Sequence, residues 1–268
     1  MTRLDQALVE RGLCESRERA QRAILAGRVR VNTQRAHKPS DTVQPNDALV
    51  LEAGEEYVSR GGHKLEHALR HFQLDVTSLI ALDLGASTGG FTDCLLQHGA
   101  AKVFAVDVGQ GQLAWKLRQD RRVVVMEKIN ARHLKPEQFG APVSDPARKV
   151  RIWERAGSET GAPFTGVDLI TIDCSFISLR KILPAAIALL KPNGKMVALI
   201  KPQFEAGKAE ADRGRGVIRD PAVHERVLEE LHEFAAAQSG LKWRGVVESP
   251  LPGPAGNKEF LALIEKQT

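Results

Sequence analysis

Leu79-Ile80-Ala81-Leu82-Asp83-Leu84-Gly85-Ala86-Ser87-Thr88-Gly89-Gly90-Phe91 decides the fold of this chain. An apolar run ends in a turn carrying three glycines, and helical periodicity follows over 91–97. Strand, glycine turn and helix in that order open an α/β sheet, whose ligands bind beyond the C-terminal ends of the strands. Further apolar runs at 103–107, 123–126, 167–173 and 196–200 alternate with helical stretches near 179–190 and 221–237. Strands that are apolar throughout belong to a parallel sheet covered on both faces. Two last strands, at 242–247 and 259–264 with a Pro-rich loop between them, predict an antiparallel pair at the sheet edge. The expected fold class is therefore α/β: a Rossmann-like sheet, mostly parallel, with an antiparallel edge strand. Between the third and fourth strands, 142–163 is polar and rich in Gly and Pro, with Arg148, Lys149, Arg151 and Trp153, and reads as a surface insertion.

The chemistry of the turn narrows its ligand. Glycine permits backbone torsions closed to other residues and lets a ligand approach the main chain. Asp107 ends the second strand about 20 residues on, where an acid can accept hydrogen bonds from ribose hydroxyls. A nucleoside triphosphate would require GxxxxGK[ST], and no lysine follows Gly90. A dinucleotide would require GxGxxG, and Ala86-Ser87-Thr88 lacks the second glycine at its place. S-adenosylmethionine has no pyrophosphate to cradle and fits the looser pattern better. Spacing alone leaves a dinucleotide or a purely structural turn open.

The first 50 residues read differently. Leu4, Leu8 and Val9 share a helical face that Gly12 stops; Ser16 caps a second helix, which Gly27 ends. Val29-Arg30-Val31-Asn32 alternates as a strand, and Val43 and Ala48-Leu49-Val50-Leu51 supply further short strands around the turn Pro45-Asn46-Asp47. This small α+β unit, about 1–58, holds nine basic residues against four acids between Met1 and Lys38, matching the net charge of +5 of the whole chain. Arg3, Arg11, Arg17, Arg19, Arg22, Arg28 and Arg30 are arginines rather than lysines, which suits planar, bidentate contact with phosphate. A solvated helical face is the competing account.

Composition excludes other classes. Cys14, Cys94 and Cys174 are widely spaced, with neither a disulfide framework nor zinc-ligand spacing. No signal-like apolar start and no run of about 20 apolar residues is present, so a cytoplasmic protein without a membrane span is expected. Two lysines stand out. Lys201 directly follows an apolar strand and precedes Pro202, and Asp173 ends the neighbouring strand, so both should enter one crevice. Lys64, after Gly61-Gly62, and Glu259, opening the last strand, are weaker candidates; a solvent or structural role competes for each.

Taken together these stretches resemble the TlyA (hemolysin A) family, which groups with the FtsJ-like ribose methyltransferases. Arg3-Leu4-Asp5 through Val31-Asn32 is similar to the RNA-binding module of ribosomal protein S-four. Ser59-Arg60-Gly61-Gly62-His63-Lys64-Leu65 matches the family's junction motif, making 59–78 a junction with a lead-in helix and 79–268 the methyltransferase domain. Ile172-Asp173-Cys174-Ser175-Phe176-Ile177-Ser178-Leu179, Ile200-Lys201-Pro202-Gln203-Phe204-Glu205 and Ser249-Pro250-Leu251-Pro252-Gly253-Pro254-Ala255-Gly256-Asn257-Lys258-Glu259 match its central and C-terminal motifs. The 142–163 insertion departs from the family, which is shorter there.

The resemblance implies a catalytic tetrad of Lys64, Asp173, Lys201 and Glu259. It implies methylation of ribose 2′-hydroxyls of ribosomal RNA, at cytidine; a helix-plus-arginine module reads folded RNA by shape, so an assembled subunit is the expected substrate. S-adenosylmethionine would be held by Asp83, Gly85, Ser87, Gly89, Gly90, Phe91, Asp107, Asn130 and Asp173, with no metal required. RNA would meet the seven N-terminal arginines and Arg60, and a monomer is expected. A ribose hydroxyl is hardly ionised at neutral pH, so the protein must align it and deal with its proton. Lys201 is expected to accept or steer that proton, or to stabilise the alkoxide. A membrane-active cytolysin is the rival from another class, opposed by the missing amphipathic or spanning segment. An RNA-binding protein without turnover is a third reading.

Overall fold

The apolar runs become strands of one sheet, and those inside it are buried because each is flanked by two others and covered by helices. The computed structural model describes residues 1–52, 56–140 and 164–268, and the chain divides into two units, Met1–Glu56 and Tyr57–Thr268. The insertion at 142–163, with Trp153 and its basic residues, lies outside the described residues. No described helix is long and apolar enough to cross a membrane.

In the first unit, strands β1 (Thr2–Arg3), β2 (Val29–Val31), β3 (Gln34–Arg35), β4 (Thr42–Val43) and β5 (Leu49–Leu51) surround helices Leu4–Glu10 and Arg17–Leu25. Gly12 and Gly27 take left-handed torsions (φ +71° and +69°) that end the two helices. Ser16 Oγ accepts from Arg19 N at 3.3 Å, the cap its position predicts. Leu4, Leu8, Ala20, Ile24 and Val29 close a small core. Strands β1 and β3, two residues each, are too short to carry a period in the sequence.

The second unit is built on seven strands. They are β6 (Ile80–Leu84), β7 (Lys102–Asp107), β8 (Val123–Glu127), β9 (Val167–Ile172), β10 (Leu190–Ile200), β11 (Leu241–Glu248) and β12 (Phe260–Lys266), in the order β11-β12-β10-β9-β6-β7-β8. β6 to β10 are parallel to one another. The antiparallel pair lies at the edge as expected, but its inner member is the strand that runs against the sheet: β12 is antiparallel to both β10 and β11. The antiparallel strand is thus one position in from the edge, because the loop after β11 turns back between β11 and β10. This inversion brings the start of β12 to the same edge as the ends of the parallel strands, with Phe260 opposite Ile200.

The segment at 59–78 is built into this second unit. Its helix, Gly61–His71, packs Leu65, Ala68 and Leu69 into the same core as Phe91 and Leu95 of helix Gly90–Gln97. A Cβ at Gly90 would lie 2.3 Å from Ser59 Oγ and 2.9 Å from Gly62 N, and one at Gly62 would lie 2.1 Å from the Tyr57 ring. Gly90 therefore permits the two helix starts to touch, and Gly62 makes room for the Tyr57 ring.

Asp83 sits at the centre of the sheet, opposite Thr171 in register and without exposed surface. Thr171 Oγ1 donates to its Oδ1 at 3.0 Å and Thr92 Oγ1 to its Oδ2 at 2.7 Å. Burial pushes the carboxyl up to about 7, and the hydroxyl donors only partly oppose this. An unfolded aspartate loses its proton near pH 4. Across the window from about 4 to about 7 the folded chain thus retains a proton that the unfolded chain has released, and stability falls as pH rises through it. Asp83→Asn, neutral and similar in shape, is expected to flatten that fall. Urea unfolding at about pH 5 and about pH 8 checks it; an undiminished pH dependence in the variant contradicts it.

Candidate active site

The glycine turn meets the end of β9 in close backbone contact. Gly85 has φ +85°, and a Cβ there would stand 2.6 Å from the carbonyl oxygen of Asp173. Asp173 N donates to Leu84 O at 2.9 Å, while Gly85 N and Ala86 N both donate to Val106 O, at 2.9 and 3.1 Å. The turn is thereby tied to the strands on either side of it. Asp107 braces it from below: Oδ2 accepts from Ser87 N at 2.8 Å and Oδ1 from Gly109 N at 2.7 Å. Ser87 is itself left-handed, at φ +48°.

Two cavities open on either side of this seam, and Gly85, Ser87, Asp173 and Ser175 line both. The larger, about 510 Å³, runs along Asp107, Gln112, Ile129, Asn130, Phe176 and Ile182. The smaller, about 280 Å³, is lined by Lys64, Lys201, Glu259, Arg60, Gly90 and Phe91 among others. All four members of the expected tetrad therefore meet at one cavity. Lys201 and Asp173 come from the ends of β10 and β9, Glu259 from the start of β12, and Lys64 from the first turn of Gly61–His71.

Charge in the smaller cavity is paired. Lys201 Nζ donates to Ser175 Oγ at 2.8 Å and stands 2.7 Å from Asp173 Oδ1, close but not aligned as a hydrogen bond. Lys64 Nζ pairs with Glu259 Oε2, and both side chains are buried, at 8% and 1% exposure. Glu259 Oε1 has no hydrogen-bond donor among the described residues. A Cβ on Gly253 would reach within 2.4 Å of that oxygen, so the glycine lets the C-terminal loop close over the carboxylate.

Some expected residues lie elsewhere. Asp83 lines neither cavity, because its carboxylate is turned onto Thr92 and Thr171 behind the turn. Gly89 lines neither; with φ +98°, its glycine character serves the turn and the close packing of Leu113 and Leu117. The N-terminal arginines divide. Arg3 and Arg17 both reach the buried carboxylate of Asp5, at 3.1 Å, and the Arg3 guanidinium does most to hold that carboxyl well below the usual range. Arg11 donates to the carbonyls of Gln44, Pro45 and Asp47, and Arg30 pairs with Glu52. These four are committed to their own unit. Arg19 and Arg22 form exposed pairs with Glu15 and Glu18 one helical turn away, which cost little to exchange for another anion. Arg28 is partly buried, with Nε unpartnered among the described residues.

Ser175, Phe176 and Gln112 line the cavities without having been singled out. Ser175 could have been found, since it lies two residues after Asp173 and so on the same strand-end loop. Phe176 is 90% exposed, holds φ +63° and packs on Phe204 with ring centroids 5.2 Å apart. The far end of this loop is fixed by Glu205, whose carboxylate accepts from Ser178 Oγ at 2.6 Å and Leu179 N at 2.8 Å. Cys174 donates to Leu84 O at 3.5 Å, and burial pushes its thiol up to about 12, so it stays protonated and is no nucleophile.

Comparison with known proteins follows the division of the chain. The FtsJ-like methyltransferase family model matches residues 57–266, and the S4 domain model matches residues 2–49. The chain is 47% identical to a Bacillus subtilis protein named as a candidate rRNA methyltransferase, YqxC, over 97% of this chain and 84% of that one. It is 44% identical to the 16S/23S rRNA (cytidine-2′-O)-methyltransferase TlyA of Mycobacterium tuberculosis, over 99% of this chain and 90% of the relative. A solved structure from Streptococcus thermophilus, described as a candidate hemolysin, superposes with a TM-score of 0.69 at 43% identity, covering 99% of this chain and 88% of that one.

The contact between Gly85 and Asp173 gives a direct test of the seam. Gly85→Ala must strain a left-handed backbone and push Asp173 away, and is expected to lower the unfolding free energy by about 1–3 kcal/mol. Denaturant unfolding measures this; wild-type stability in the variant would show that the seam yields without cost.

Proposed function

We propose that this chain, which belongs to the FtsJ-like methyltransferase family and carries an S4 domain ahead of it, transfers a methyl group from S-adenosylmethionine to a ribose 2′-hydroxyl of ribosomal RNA. The target is a cytidine within an assembled ribosomal subunit, and the site of action is the cytoplasm. The observation that carries this reading is the meeting of Lys64, Asp173, Lys201 and Glu259 at one cavity that shares a wall with the cavity beside the glycine turn.

The larger cavity fits the cofactor. Gly85 and Ser87 expose main chain at left-handed torsions, Asp107 stands at a strand end, and Ile129, Ile177 and Ile182 supply apolar walls beside Asn130. Gly85, Ser87, Asp107 and Asn130 would hold it; Gly90 and Phe91 line only the acceptor cavity. S-adenosylmethionine, when bound, supplies a methyl group already activated by a positive sulfur.

The protein's share is to orient the acceptor and stabilise the charge that develops on it. An ammonium has three donors. Lys201 gives one to Ser175 and faces Asp173 with another, which leaves a third for the ribose oxygen. In this arrangement Lys201 steers the hydroxyl and stabilises negative charge on its oxygen as the O–H proton passes to Glu259 Oε1 and the methyl group leaves the sulfur. Glu259 Oε1, buried and without a donor among the described residues, accepts a hydrogen bond from the incoming hydroxyl, while Lys64 fixes the other oxygen. Arg19 and Arg22 in the S4 domain are the N-terminal arginines freest to position the RNA through phosphate.

Lys201→Ala is expected to lower tritium-methyl transfer to ribosomal subunits by at least about 100-fold. Cofactor affinity by calorimetry should stay near the wild-type value. Retained transfer would overturn the role of Lys201.

A further inference from the structure

The end of helix Lys208–Arg213 and the loop after it present Arg213, Arg215 and Arg219, all exposed, with Arg213 Nε donating to Ala209 O at 3.3 Å. None of the three has a carboxylate partner among the described residues. Two nearby acids are already engaged: Glu210 pairs with Arg226 at 2.5 Å, and Asp220 caps the following helix through Ala222 N at 2.9 Å. Asp212 remains as one exposed acid against three arginines.

The loop is held in a definite place. Buried Asn257 donates from Nδ2 to Gly216 O and accepts at Oδ1 from Ile218 N, both at 2.9 Å. His224 Nε2 lies 3.1 Å from Ile218 O, and Gly216 N donates to Ala211 O at 2.8 Å. Asn257 is two residues before Glu259 and three after Pro254, and both of those line the acceptor cavity. The arginine loop is therefore pinned to that cavity's wall. At its tip, in Gly214-Arg215-Gly216, Arg215 takes φ +50°. A residue with a Cβ is disfavoured there, and glycine or asparagine is the ordinary occupant. Strained backbone of this kind clusters at binding sites, and here it aims an exposed arginine from a loop tied to a cavity wall.

We infer that Arg213, Arg215 and Arg219 form a second phosphate-contact surface, within the methyltransferase unit, that holds the RNA backbone close to the ribose in the Lys64–Glu259 cavity. This rests on the reading of the chain as an RNA methyltransferase. Its chemistry is that of arginine forks on phosphodiester oxygens, and it carries no base selectivity. Asn257 is a positioning residue for this surface.

The test compares wild type with the R213A/R215A/R219A variant for binding of a ribosomal RNA fragment across a salt series. The slope of log affinity against log salt is expected to become shallower by about two to three units. The KM for ribosomal subunits should rise at least about tenfold at moderate salt, in line with loss of that many phosphate contacts. Arg215→Lys, which retains the charge but not the fork, should keep the wild-type salt slope. Thermal melting checks that the exposed substitutions leave the fold intact. An unchanged slope and KM in a folded triple variant overturns the inference, whereas a wild-type protein that transfers no methyl group overturns the functional reading itself.

Discussion

The approach of the glycine turn to the backbone of Asp173 is the constraint on which the rest of the second unit depends. A Cβ at Gly85 would stand 2.6 Å from the Asp173 carbonyl, so only glycine lets β6 and β9 end side by side. Because they do, one wall of Gly85, Ser87, Asp173 and Ser175 serves two cavities, with Asp107 lining one and Lys64, Lys201 and Glu259 lining the other. A methyl donor and a methyl acceptor must meet along a line, and a shared wall is what fixes that line.

Around the seam the sheet gathers charge that a core would not tolerate. Burying the Lys64–Glu259 pair carries a desolvation cost that its mutual attraction does not reliably offset. Its occurrence on a cavity wall is better explained by what it offers a polar acceptor than by stability. The inverted strand β12 makes it possible: a parallel strand in that place would begin at the opposite edge of the sheet, far from Lys201. Glycines at 62, 90 and 253 do the corresponding work at short range, each removing a side chain where two segments must touch.

Much of this was legible in the sequence. Apolar runs and their spacing place six of the seven strands of the second unit, since strands covered on both faces have little freedom in composition, while edge strand β11 shows only alternation. Strand ends mark Asp173 and Lys201, and the motifs bring in Lys64 and Glu259. What the sequence could not convey is the direction a side chain faces. Asp83 sits in the quoted motif beside residues that line a cavity, yet its register opposite Thr171 turns it inward. Arg3, Arg11, Arg17 and Arg30 count as positive charge in any composition, but Asp5, Glu52 and the carbonyls of a turn already occupy them. Strand order was also hidden, because either member of a C-terminal hairpin can occupy the edge.

A ribose 2′-O-methyl group protects the adjoining phosphodiester from alkaline cleavage, so its position in RNA can be read directly. Mapping such groups across total ribosomal RNA from cells with and without this protein tests the central claim. At least one 2′-O-methylcytidine present only when the protein is present is the predicted result. Identical maps, or a difference confined to base methylation, would contradict it.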